Sequence, residues 1–181
     1  INEYASTTSI GMGGRSYYLA RELVKQGYQV YLIASAPHHL LRVFPKLVGN
    51  YTFEMVDGIH IVWIKVPSYK HAHSKQRVLN WFLFAWKLQK LRKIINDKPD
   101  VILVSSPSLV AYLGAERLSV KLKSKLVFEV RDIWPLSLIR IGGYSPKNPF
   151  IRFLQWIEDR AYQKSDHVIS NLENAVEHMV S

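Results

Sequence analysis

Glu129-Val130-Arg131-Asp132-Ile133-Trp134-Pro135 places two acids, a guanidinium and an indole within seven residues, at the end of an apolar run. Carboxylates hydrogen-bond hydroxyl groups, an indole offers a face for stacking on a sugar ring, and charge at the end of a buried strand is costly without partners. An ion pair from Arg131 to Asp132 or Glu129 accounts for the same residues structurally, so packing and binding both stand as readings of this string. Arginine stays protonated, which excludes Arg131 as a base and suits it to orienting Asp132 or holding a phosphate. Asp132 and Arg131 are the expected catalytic pair, and Glu129 and Trp134 the expected ligand contacts.

Four further stretches carry polar or glycine chemistry. Ser9-Ile10-Gly11-Met12-Gly13-Gly14-Arg15 precedes a helix, where open backbone N–H groups and the positive helix end suit a diphosphate. Gly13, Gly14 and Arg15 are therefore expected to bind it, although the same residues also make a flexible turn. Position 16 is Ser, which breaks the dinucleotide-binding glycine pattern, and no Gly-Lys-Ser/Thr occurs. Ser105-Ser106-Pro107-Ser108 is a hydroxyl-rich helix start; Ser106 is expected to hold a sugar or a phosphate, and capping explains the serines about as well. His38 and His39 follow a strand and are expected polar contacts. His71-Ala72-His73 sits in a Lys-rich loop without a carboxylate, so no metal site is expected.

Elements at regular intervals must position these groups. Tyr17, Tyr18, Leu19, Leu23 and Val24 form a helical stripe from Gly14 to Gln26, ended by Gly27. Tyr28–Ala34 reads as a buried strand. Phe53–Val56 and Ile59–Ile64 flank Asp57-Gly58, the residue pair of a tight hairpin. A long helix over 78–96, a strand over 100–104, a helix over 108–120, a strand over 125–130, a helix over 150–164 and a strand over 167–170 follow. This alternation predicts one Rossmann-like α/β domain over 1–181: a mostly parallel sheet with helices on both faces and one β-hairpin. Ligands are then expected at the carboxyl ends of the strands, in loops 4–14, 35–41, 105–108 and 131–143.

Composition agrees with a single globular domain. The chain has 181 residues, 48% of them hydrophobic, and no cysteine, which excludes disulfides, thiolate metal sites and a cysteine nucleophile. It opens on Ile1 without a leader pattern and stops at Ser181 in what reads as a helix, and is expected to be a trimmed piece. The apolar stretch 78–86 is interrupted by Asn80 and followed by Lys87, well short of the roughly 20 residues that span a bilayer.

Together, Gly13-Gly14 opening a helix that ends in Leu-x-x-x-Gly, Tyr69 with Arg77-x-x-Asn80 leading an aromatic helix, the Glu129–Pro135 string, and Ile157-Glu158, Ala161-Tyr162 and Ser165–Ser170 resemble the N-terminal half of bacterial family 4 glycosyltransferases, the WbuB-type enzymes of surface-polysaccharide assembly in particular. The resemblance covers nearly the whole chain. It implies the N-terminal half of a GT-B fold and a retaining, metal-independent transferase of hexosyltransferase type, with no cofactor. A nucleotide sugar would be the donor and a polyprenyl-diphosphate-linked sugar or glycan the acceptor, in O-antigen or capsule synthesis. His38, Arg77, Asn80, Ser106, Glu129 and Trp134 are the residues expected to bind the acceptor, and Gly13, Gly14 and Arg15 those expected to bind the donor diphosphate. Many family members carry a His where Arg131 stands. The family's donor-side Glu-x7-Glu does not occur, so the donor-binding C-terminal domain is expected to be absent, the first strand cut to Ile1–Tyr4, and this piece alone inactive. A nucleotide-sugar 2-epimerase of the same fold, or a non-catalytic binding module, is the alternative.

Charge points to a surface. Lys+Arg number 24 against 14 Asp+Glu, and most of the +10 net charge lies in Lys65–Lys98, where Asp97 is the one acid. Within that segment Trp81, Phe82 and Trp86 lie beside Lys87 and Lys90, a pattern suited to a helix on an anionic membrane interface. Peripheral attachment to the cytoplasmic face of the inner membrane is expected. A core helix with a solvated basic face is the structural alternative. No nucleic-acid-binding pattern accompanies the charge, and no nucleic-acid partner is expected.

Overall fold

The computed structural model describes residues 1–69, 74–106 and 108–173. The chain divides into two compact units, Ile1–Phe84 and Ala85–Ser181, and among the described residues strand pairing forms two three-stranded sheets. His71, His73, Pro107 and the helix expected at the end of the chain lie outside the described residues.

In the first unit, α1 spans Gly14–Lys25, β1 Tyr31–Ala36, β2 Tyr51–Val56 and β3 Ile59–Lys65. Tyr17 and Ala20 bury one side of α1. The helix closes where Gly27 adopts φ 89° and the amides of Gly27 and Tyr28 donate to Val24 and Leu23 at 2.9 and 3.1 Å. Tyr28 belongs to this cap, so the strand expected over Tyr28–Ala34 begins instead at Tyr31 and continues to Ala36. Asp57 and Gly58 have φ of 52° and 77°, and β2 and β3 pair antiparallel around them as the dipeptide predicts. β3 lies in the middle of its sheet and pairs in parallel with β1 from Tyr31–His60 to Ala36–Lys65. Its central position explains why Ile59, Ile61, Val62, Trp63 and Ile64 are all buried, while Phe53 and Met55 on the edge strand β2 are exposed.

Residues Ile1–Tyr4 do not form the short strand expected of them. They run beside β1 through Asn2 N–H to the Ile33 carbonyl (3.0 Å) and Ser35 N–H to the Glu3 carbonyl (2.9 Å). The Asn2 side chain then accepts the Tyr4 amide at 3.0 Å, and this local turn takes the place of further ladder.

α2 spans Lys75–Leu88 and is followed by a separate 3₁₀ turn, Leu91–Lys93, where one helix over 78–96 is expected. After Leu88 the amides of Lys90 and Lys93 reach back three residues, to Lys87 at 3.0 Å and to Lys90 at 2.9 Å, and the tighter winding ends the α-helix. The second unit continues with β4 Val101–Ser105, α3 Leu109–Leu122, β5 Lys125–Val130, α4 Leu136–Arg140, α5 Pro149–Lys164 and β6 His167–Ser170. β5 sits between β4 and β6 and pairs in parallel with both.

Phe128 on β5 meets Tyr112 of α3 edge-on, with ring centroids 5.5 Å apart, in a core completed by Leu118, Leu154 and Ile157. α5 starts because the Asn148 side chain accepts the Phe150 amide at 2.8 Å and Pro149 fits the first turn. Asp166 ties β6 to the start of β5, accepting the Leu126 amide at 2.9 Å and Lys125 Nζ at 2.6 Å. These bonds hold its carboxyl below the ordinary aspartate range. Parallel pairing with intervening helices and one hairpin is the Rossmann-like α/β fold that the alternation predicts.

Candidate functional site

The first unit gathers polar groups around Tyr4. Its hydroxyl accepts Trp81 Nε1–H at 2.6 Å and Arg77 Nε–H at 3.1 Å, and the Arg77 guanidinium stacks 5.3 Å from the Tyr4 ring and 5.6 Å from the Trp81 ring. Burial, reinforced by the charge of Glu3, raises the Tyr4 hydroxyl far above the usual phenol range and keeps it protonated. The Tyr4 ring meets His38 and His39 edge-on at 5.6 and 5.4 Å. His39 is exposed, and its Nδ1 lies 2.8 Å from the Tyr69 hydroxyl. Partial burial, and then the positive charge of Arg77, lowers its pKa and favours the neutral ring. His38 is a different kind of residue. It is buried, its Nδ1 accepts the Leu40 amide at 3.3 Å, and Nε2 lies 3.2 Å from the Ala5 carbonyl.

The glycine loop packs against the segment that follows β1, since the amides of Arg42 and Val43 both donate to the Ile10 carbonyl. Gly13 and Gly14 take φ of 72° and 75°, a region that L side chains rarely adopt. A Cβ on Gly13 would also press on Thr8 and Tyr17, whereas Gly14 faces open space. The Gly13 amide donates to Ser6 Oγ at 3.2 Å and the Gly14 amide to the Met12 carbonyl at 2.9 Å. Both N–H groups are therefore used inside the loop, which corrects the expectation that they stand open to an anion. What the loop presents is the exposed Gly14 backbone and the exposed Arg15.

In the second unit, the parallel pairing of β4 with β5 sets the ends of both strands side by side. Ser106 continues that ladder through its amide to the Glu129 carbonyl at 3.0 Å. Its Oγ accepts the amides of Arg131 and Asp132 at 2.9 and 3.1 Å, so one hydroxyl latches the turn that carries both residues. Asp132 is exposed and Arg131 and Trp134 half-buried. Among the described residues Arg131 and Asp132 make no ion pair, with each other or with Glu129, and the pairing alternative for the string is set aside. Glu129 is buried and accepts a hydrogen bond from Ser105 Oγ. Ser108 occupies the N-cap of α3 without a side-chain capping bond.

A family model described as Glycosyltransferase Family 4 matches residues 11–181. The chain belongs to that family. No curated protein matches it. A family 4 glycosyltransferase domain implies a sugar donor and an acceptor.

The structure sorts the residues expected to contact ligand in this family 4 domain. Arg77, Arg131, Asp132 and Trp134 stand at least partly open, as do Gly14 and Arg15. His38, Asn80 and Glu129, expected beside an acceptor, are buried. Asn80 is buried, donating Nδ2 to the Pro67 carbonyl at 2.8 Å and accepting Gln76 Nε2–H at 3.0 Å, and so anchors the approach to α2. Ser106 is buried as well, and acts by shaping the turn. The assembly of Tyr4, His39 and Tyr69 escapes sequence reasoning, because no local spacing links residues so far apart. Two residues of the string 157–170 hold the fold together: Glu158 is buried and accepts Tyr162 Oη–H at 2.9 Å, and Asp166, at the surface, clamps β5.

The five expected membrane contacts of the domain divide likewise. Trp81 is 7% and Lys87 8% exposed. Phe82 and Trp86 are 42% and 53% exposed, and Lys90 is exposed with Nζ 3.5 Å from the Trp86 ring centroid. No helix among the described residues is long and apolar enough to cross a membrane.

Proposed function

We propose that this chain is the acceptor-binding N-terminal half of a retaining GT-B glycosyltransferase, transferring a hexose from a nucleotide sugar to a polyprenyl-diphosphate-linked or glycan acceptor in bacterial surface-polysaccharide assembly of the WbuB type. The observation that carries the reading is the family match over residues 11–181. It is supported by the turn that Ser106 holds at the carboxyl edge of β4 and β5. In this reading Asp132 orients an acceptor hydroxyl, while Arg131 stabilises negative charge gathering on the departing diphosphate. Arg15 and the Gly14 backbone line the diphosphate side, and Arg77 with His39 meets the acceptor. No cofactor or metal takes part, and a C-terminal domain supplies the rest of the donor site, so this piece alone does not turn over.

A lipid-linked acceptor calls for contact with the bilayer. Phe82, Trp86 and Lys90, exposed on and after α2, make that contact at the cytoplasmic face of the inner membrane.

Steady-state kinetics of the full-length enzyme test the reading. Asp132→Asn and Arg131→Ala should each lower kcat/KM by at least about tenfold, roughly 1.4 kcal/mol of transition-state stabilisation, with thermal unfolding unchanged. Folded variants with wild-type kinetics would remove the pair from the mechanism.

A further inference from the structure

The second unit carries a pocket of about 440 Å³ on the stretch that links α2 to β4, lined by Trp86, Lys90, Arg92, Lys93 and Lys121 among others. Lys90, Arg92, Lys93 and Lys121 are all exposed, and among the described residues none of the four makes an ion pair. Four like charges around one cavity repel each other, and an anion seated there converts that cost into attraction. Phosphate suits the donors, because its oxygens accept charge-assisted bonds from guanidinium and ammonium groups alike.

The pocket is distinct from the Arg131–Asp132 turn. α3 leaves the carboxyl edge of the sheet after β4 and ends at Leu122, three residues before β5 starts at Lys125. Lys121 therefore stands at the amino edge of that sheet, opposite the loops that follow β4 and β5.

We propose that this pocket seats the phosphate headgroup of an anionic membrane lipid. The indole decides between a lipid and a soluble phosphate. Trp86 forms one wall, is 53% exposed, and is covered on one face by the Lys90 ammonium at 3.5 Å. Phe82 and Leu79, four and seven residues before it on α2, are 42% and 61% exposed. A soluble anion leaves these apolar side chains unexplained, whereas a helix lying in the interfacial plane sinks them beside the acyl chains and keeps its cations among headgroups. The seat rests on the membrane attachment proposed above and gives it a location and a chemistry.

Co-sedimentation of the chain with phosphatidylglycerol–phosphatidylcholine vesicles, against pure phosphatidylcholine, tests it. Wild type should bind the anionic vesicles, and a Lys90→Ala, Lys93→Ala, Lys121→Ala variant with an unchanged circular dichroism spectrum should bind on the order of 100-fold more weakly, at about fivefold per surface cation. If the triple variant binds as wild type does while a Leu79→Ser, Phe82→Ser variant fails, the pocket is not the seat and membrane attachment stands without it. Absence of wild-type binding to either vesicle overturns both. Saturable quenching of Trp86 fluorescence by inorganic phosphate, with no preference for anionic vesicles, would make the pocket a soluble-anion site and overturn the headgroup assignment.

Discussion

Lowering the pH should destabilise the fold through His38. The side chain is 2% exposed, and Nδ1 accepts the Leu40 amide, so the ring proton resides on Nε2 and is donated to the Ala5 carbonyl. Protonating Nδ1 would set two donors against each other in a buried place. Burial is the larger cause, and it lowers the His38 pKa from 6.5 to about 4. The unfolded chain then takes up a proton at a pH where the folded chain does not, and stability falls with pH across that window. The loss works out at about 2 kcal/mol by pH 5 and about 3 kcal/mol by pH 4, a large share of a typical domain's stability. Urea unfolding between pH 7 and 4 measures it, with His38→Gln as the non-titrating reference: the variant should be less stable at pH 7 yet show a flatter pH profile. A His38 ring-proton NMR titration with a midpoint near 6.5, or equal slopes in wild type and variant, would refute the reasoning.

Two further substitutions probe the second unit. A Cβ at Gly114 would collide with the backbone carbonyl of Ala85, so Gly114→Ala should cost about 1–3 kcal/mol in urea unfolding despite alanine's better helix propensity. Asp166→Asn removes the bonds that lower the Asp166 pKa; it should reduce the unfolding midpoint at neutral pH, and the gap to wild type should close as acid protonates Asp166, since a depressed carboxyl stabilises only while ionised.

Local chemistry reached the fold more fully than the site. The Asp57-Gly58 turn, the strand Lys125–Val130 and the strand His167–Ser170 are legible because each rests on residues adjacent in the chain: a dipeptide tolerant of positive φ, or a short run of apolar and β-branched side chains. Boundaries slipped where a neighbour intervened, as at Tyr28, taken by the cap of α1, and beyond Leu88, where 3₁₀ bonds replace α-helical ones. α4, from Leu136 to Arg140, is too short to show a period.

Sequence alone established the alternating α/β grammar, the loops at the strand ends, the polar Glu129–Pro135 string and the basic segment around α2. Tertiary structure decided which side chains in those places are available. His38 and His39 are equivalent by type and position, yet the first is buried against backbone and the second exposed beside Tyr69. Trp81 and Trp86 belong to one aromatic helix, yet Trp81 donates to Tyr4, 77 residues away in the chain, while Trp86 stands at the surface. Ser106 and the amides of Arg131 and Asp132 meet because two parallel strands put their ends together. The physical reason is the same in each case. Burial and hydrogen bonding depend on neighbours brought in by the fold, and those neighbours lie far outside the few residues over which propensity and periodicity act.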